Sequence, residues 1–150
     1  MKRIYAREDL CLGCRLCEIH CLVAHSKSRR IISAMTREKG QITPRCKVEE
    51  SGQVTFALQC RHCEHARCLE ACMTGAITRD PATGVVLHNA DKCVGCWMCL
   101  MSCPVGAIQR GREGHVASKC DLCQGEAAPV CVANCPNEAL LFEDREERKK

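Results

Sequence analysis

Apolar residues in this chain come in short runs, each tied to a cluster of cysteines. "RIYAREDLCLGC" and "GVVLHNADKCVGC" each pass from a short strand-like run through acidic residues into closely spaced cysteines. "ACMTGAITRD", "SCPVGAIQRG" and "NCPNEALLFE" each leave a cysteine through a small-residue turn and enter another short apolar run. The recurrence predicts a repeat of small β–loop–helix units. Within each cluster the last two cysteines are four residues apart, which places them on one face of a single helical turn. Pro104 and Pro136, each directly after such a turn, remove a backbone donor and stop it. No apolar run approaches the roughly 18 residues a membrane-spanning helix needs.

Composition changes the picture of the core. The 150 residues suffice for one ordinary domain or two small ones, yet they include 17 cysteines against one Trp, one Tyr and two Phe. A large ring buries roughly 150–250 Å², so a core this poor in rings needs another organiser. Bound metal supplying folding free energy fits, and the metal-free chain is then expected to be largely unfolded. The opening "MKRIYAREDL" has basic residues, but Arg7, Glu8 and Asp9 interrupt any signal-peptide core. The expectation is a cytoplasmic protein, in a compartment that keeps thiols reduced, which argues against a disulfide scaffold. A net charge of +4 is too mild to point to nucleic acid.

The cysteines form four ladders. The first is Cys11, Cys14, Cys17 and Cys21; the second, with a wider middle gap, is Cys60, Cys63, Cys68 and Cys72. The third is Cys93, Cys96, Cys99 and Cys103; the fourth is Cys120, Cys123, Cys131 and Cys135, leaving Cys46 over. Structural zinc sites use paired C-x₂-C units or cysteine with histidine on a tetrahedron, and have no use for a trailing C-x₃-C. Three close cysteines wrap one [4Fe–4S] cube, and in two-cluster ferredoxins the fourth ligates the other cube. Four ladders predict four cubes.

Link lengths suggest which ladders exchange ligands. Only 20 residues separate Cys72 from Cys93, whereas the link from Cys21 to Cys60 is nearly twice as long. The fold expected is therefore α+β, two interleaved bacterial-ferredoxin-like units with short β-hairpins and short helices around the clusters. An inner unit spans residues 60–110; residues 1–59 and 111–150 form an outer unit with a basic insertion at 26–45. Ligation would be Cys11, Cys14, Cys17 with Cys135; Cys60, Cys63, Cys68 with Cys103; Cys93, Cys96, Cys99 with Cys72; and Cys120, Cys123, Cys131 with Cys21. The rival grouping pairs ladder one with two and three with four.

With "QCRHC" opening the second ladder and "CDLC" the fourth, the chain resembles the four-cluster ferredoxin-like electron-transfer subunits of complex redox enzymes, such as formate dehydrogenases, dimethyl sulfoxide reductases and hydrogenases. The resemblance implies the interleaved ligation above. "EDLCLGCRLCEIHCLVAHSKS", "FALQCRHC", "CVGCWMC" and "CVANCPNEAL" look most like the branch associated with nickel carbon monoxide dehydrogenase. It implies an anaerobic oxidoreductase complex, with carbon monoxide dehydrogenase as donor and a hydrogenase or flavin NAD(P)H oxidoreductase as acceptor. The chain departs from many relatives in having Arg67, not proline, before the third cysteine of ladder two, and no proline after Cys21 or Cys72.

Other residues carry a plain reading beside a sharper one. Cys46 is read as a small buried hydrophobe rather than an extra ligand. His20, His62 and His65 lie among ladder residues, but each cube already has four thiolates, so they are read as supporting or surface groups. Trp97 either shields a cluster or faces a partner. The basic stretch from Lys27 to Lys39 is either a solvated loop or a docking surface for an acidic partner. The tail "EDREERKK" reads as a solvated terminus. No nucleophile–base pair, phosphate cradle or open metal position is visible. The chain is thus expected to be a non-catalytic electron carrier. The rivals are a subunit of a molybdenum or tungsten formate dehydrogenase or related oxidoreductase and, from another class, a zinc-binding interaction module.

Overall fold

A computed structural model describes residues 1–38, 40–111 and 116–144. Lys39, the last residue of the basic stretch, and most of the expected tail lie outside the described residues, as does part of the expected outer unit.

The short apolar runs become short strands that pair as two-stranded antiparallel ribbons. Strand β1 (Arg3–Ala6) precedes the first ladder and pairs with β8 (Leu140–Glu143), which follows the fourth, with Ile4 opposite Phe142. This ribbon joins the two ends of the described chain. Between ladders one and two, β2 (Lys47–Ser51) and β3 (Val54–Leu58) form a hairpin. Between ladders two and three, β4 (Ile77–Arg79) and β5 (Val86–His88) form another, with Ile77 opposite His88. The "GAI" and "GVVL" runs thus pair as the sequence suggests. A fourth ribbon joins β6 (Gln109–Arg110) to β7 (Ala117–Ser118) between ladders three and four.

The third cysteine of each ladder sits on a helix. These helices are α1 (Leu16–Ala24), α3 (Arg67–Glu70), α4 (Met98–Ser102) and α5 (Val130–Ala133). Helix α1 is the longest of them because no proline follows Cys21, so the turn runs on to Ala24. Ladder two also lacks the proline, yet α3 stops. Its chain reverses at Gly75, with a positive φ of 66°, and the Gly75 N–H returns to the Cys72 carbonyl at 3.3 Å. Gly106 and Glu138 close the same turn onto Cys103 and Cys135, both at 3.2 Å. The glycine turn therefore does the stopping that proline does elsewhere.

Helix α1 packs against α5, and α3 against α4. Two small cores result. One gathers Ile4, Cys17, Cys21, Cys46, Val48, Ala57, Cys131 and Leu140. The other gathers Ala66, Ile77, Val86, Cys99, Ile108 and Ala117. A third group, Cys60, Ala107 and Cys120, links ladder two to ladder four. Cysteines are themselves core residues, which is how the chain closes with so few rings. These features make a small ferredoxin-like α+β fold. No helix among the described residues is long and apolar enough to cross a membrane.

Candidate metal centres

Each ladder is a loop that must turn back on itself, and the backbone does so at one recurring position. The residue just before the second cysteine has a positive φ in all four: Gly13 at 66°, His62 at 44°, Gly95 at 69° and Leu122 at 59°. A left-handed residue there lets a second cysteine face the same space as the first, and its occurrence at two non-glycine residues costs energy that the surroundings must repay. At Gly13 a side chain would also meet Thr55, whose Cγ2 is 3.3 Å from where a Cβ would stand. The loops are pinned from outside. Thr55 donates to the Cys11 carbonyl at 2.7 Å, and the Val48 N–H binds Glu18. The Arg79 guanidinium ties β4 to ladder two through the carbonyls of Cys63 and Glu64, both at 2.7 Å.

Three hollows result, each lined by four cysteines. Cys11, Cys14, Cys17 and Cys135 line one with about 410 Å³ of empty space, part of it open to solvent. Cys60, Cys63, Cys68 and Cys103 line a second of about 370 Å³. Cys72, Cys93, Cys96 and Cys99 line a third of about 330 Å³. The fourth cysteines of ladders two, three and four thus sit in the hollow of another ladder. The remaining ladder cysteines are Cys21, Cys120, Cys123 and Cys131. Burial raises the thiols of Cys120, Cys123 and Cys131, and the Cys21 charge adds to each.

The donor chemistry of the three hollows fits an iron–sulfur group. Their walls offer four soft sulfur donors and otherwise mainly apolar surface, with no carboxylate to favour a hard cation. Burial raises the thiols of Cys120 and Cys131 and pushes that of Cys68 up to about 11. Thiols raised in this way are protonated near neutral pH, so binding a metal through them would release protons. All the cysteines are free thiols.

The supporting residues divide differently from the sequence reading. Cys46 is buried, as a small hydrophobe would be, but its Sγ also donates to the Cys17 carbonyl at 3.4 Å. Donation from Cys46 is the main cause holding the Cys21 thiol down at about 5 and that of Cys17 below its ordinary value. Trp97 lines the Cys93 hollow and carries the Arg110 guanidinium over its ring at 4.6 Å, so it forms part of the wall. His65 is exposed and His20 half-buried, whereas His62 is almost completely buried. Burial, and after it the Lys119 charge, pushes His62 down to about 3, so its ring is neutral.

Sequence reading missed His25, whose spacing of four from Cys21 on α1 was the available signal. Its Nδ1 lies 2.7 Å from the Cys21 carbonyl and 3.8 Å from the Cys21 sulfur, and its Nε2 is 3.2 Å from Asp121. Burial opposes the charged ring, but Asp121 and Cys21 outweigh it and raise His25 to about 9. Asp121 is also paired with Arg45, which with His25 holds its carboxyl well below the usual range. The ligand atoms of His25, Asp121 and Cys123 lie within 4.8 Å of one another, a possible metal grouping by distance. The ion pair from Arg45 and the Cys123 N–H, 3.0 Å from Asp121, already use that carboxylate.

Residues 52–145 match the family described as a 4Fe-4S dicluster domain. Over 157 residues the chain is 39% identical to an iron-sulfur protein of Rhodospirillum rubrum, covering 94% of this chain and 81% of that one. It is 37% identical to the electron transport protein HydN of Escherichia coli, covering 95% of this chain and 87% of the other. It is also 39% identical to the E. coli protein named as an oxidoreductase, AegA, covering 91% of this chain but only 21% of AegA. Among solved structures, a chain of the active-site complex BamBC of benzoyl coenzyme A reductase shares the fold, with a TM-score of 0.55, 24% identity and cover of 100% of this chain and 82% of that one.

Proposed function

This chain belongs to the 4Fe-4S dicluster domain family, and we propose that it is an electron-transfer subunit holding four [4Fe–4S] clusters in a row. The observation that carries the reading is the convergence of four cysteines on each of three hollows. The raised thiols of Cys120, Cys123 and Cys131, to each of which the Cys21 charge contributes after burial, support a fourth set. A cube of iron and sulfide, when bound, takes up and releases one electron at a time.

The chain's own residues set the order of the sets. Cys17 and Cys21, four apart on α1, join the Cys11 set to the Cys120 set. The core group of Cys60, Ala107 and Cys120 joins that set to the Cys60 set. The packing of α3 on α4 joins the Cys60 set to the Cys93 set. Cys14 and Cys96 are the exposed cysteines, and they belong to the first and last sets of this row. Electrons would therefore pass in at one of these surfaces and out at the other, through two interior sets. The packing of α1 on α5 and of α3 on α4 supports two interleaved units, 60–110 inside 1–59 with 111–150.

The similarity to a protein named for electron transport supports a carrier rather than an enzyme. By the resemblance of the first ladder and of "CVGCWMC", the donor is a nickel carbon monoxide dehydrogenase in the anaerobic cytoplasm. The acceptor is a hydrogenase or a flavin NAD(P)H oxidoreductase. The similarity to part of AegA, named as an oxidoreductase, supports an oxidoreductase partner. The test is to mix the loaded protein anaerobically with the dehydrogenase and carbon monoxide. Bleaching of the iron–sulfur absorbance is expected. No bleaching, with bleaching by formate and a formate dehydrogenase instead, would transfer the chain to the molybdenum or tungsten enzymes.

A further inference from the structure

Lys119 is one of the most buried charged side chains described, at 3% exposure. Its ammonium donates to two carbonyls, those of Val86 and, at 3.3 Å, Cys120, and among the described residues no carboxylate pairs with it. An ammonium in the interior is costly unless a counter-charge is near. Lys119 lines the hollow of Cys60, Cys63, Cys68 and Cys103, and its charge favours the thiolate of Cys68.

His62 lines the same hollow. Its Nδ1 accepts the Val86 N–H at 3.1 Å, so the proton of the ring sits on Nε2. That Nε2 is buried and has no partner among the described residues. A buried donor left unmade is expensive, so a group filling the hollow must supply its acceptor. A residue with a buried cation and one with a buried, unpartnered N–H thus both line a space walled by four thiols.

The other sets are not arranged this way. Arg15, beside the Cys11 hollow, is exposed and paired with Glu50 at 2.8 Å. His88, beside the Cys93 hollow, also has an unpartnered Nε2, but no lysine lines that hollow and the ring is only half-buried. His25 and Arg45, beside Cys21, share the negative charge of Asp121.

We propose that Lys119 and His62 are positioning residues for the iron–sulfur group of the Cys60 set, serving as its counter-ion and its hydrogen-bond donor, and that the first electron passed into the chain comes to rest on this interior group. The proposal rests on the four-cluster reading. When bound, such a group would gain one negative charge with each electron it takes up. A fixed ammonium and an N–H on sulfur favour that reduced form. No proton moves, because the ammonium and the imidazole N–H are already in place.

The test uses full-length protein loaded anaerobically and titrated electrochemically, with titanium(III) citrate as reductant and electron paramagnetic resonance as readout. Iron and sulfide are assayed first; a shortfall in the wild type would count against the four-cluster reading itself. In iron-replete Lys119→Met the oxidised-to-reduced ratio of the first centre should rise at least tenfold at fixed potential, about 59 mV for a one-electron couple. Lys119→Arg should keep most of the wild-type value, and the other centres should move less. In wild-type protein labelled with ¹⁵N-histidine, pulsed resonance at the one-electron stage should show a histidine coupling that His62→Leu removes. An unmoved first centre in Lys119→Met, an equal shift of all centres, or no histidine coupling in the wild type would each overturn the proposal. If the variants fail to load, the wild-type coupling alone decides.

Discussion

Cys46 illustrates what single residues reveal and conceal. Its burial among Val48 and Ala57 agrees with the plain reading of a lone cysteine in the strand-like stretch "ITPRCKVEE". Its donation toward ligand thiols does not, because only the fold brings β2 beside α1. If it is a packing and donor residue, Cys46→Ala should leave iron content unchanged and cost about 1 kcal/mol of stability, read from denaturant titration of the loaded protein. Loss of a quarter of the iron would make it a ligand instead. The ladders themselves were legible because ligand spacing is local. Lys119 and His62 were not: "HC" within a ladder looks like many surface histidines, and nothing local in "SKCDLC" says that its lysine points inward.

At the scale of elements, the short strands and the helical turn after each third cysteine could be read from apolar runs and i, i+4 spacing. The basic stretch could not. Part of it is helix α2 (Ile31–Thr36), too short and too exposed on Ile31 and Ile32 to show a clean apolar stripe. What holds the segment is a carboxylate among the cations. Glu38 accepts the N–H groups of Lys27 at 2.8 Å and Ser28 at 3.0 Å. The Ser28 side chain, and after it these two N–H groups, lower its pKa. A depressed carboxylate contributes order that is fully present above its unfolded pKa, about 4.3, and that fades as pH falls through the lower folded value. Hydrogen exchange should therefore show Lys27 and Ser28 amides protected at pH 6 and still protected near pH 5. Glu38→Ala should abolish that protection at both, and equal protection in the variant would place the order elsewhere.

Across the whole molecule, scarcity of rings and abundance of cysteine raise the expectation that bound metal supplies part of the folding free energy. The two cores contain Cys17, Cys21, Cys99 and Cys131 beside mostly small aliphatic residues. Without metal, what remains is ribbons of two strands and single helical turns, elements too short to be stable alone. Anaerobic removal of the iron should therefore collapse the far-ultraviolet circular dichroism toward that of an unfolded chain and restore it on reloading. A native spectrum after removal would mean that the polypeptide folds by itself. The pairing of β1 with β8 was less legible, since no local pattern marks strands from opposite ends as partners. The central claim remains that sixteen cysteines hold four cubes, and iron and acid-labile sulfide per chain test it most directly. The account predicts roughly 16 of each in anaerobically prepared protein; about eight of each, or zinc in place of iron, would contradict it.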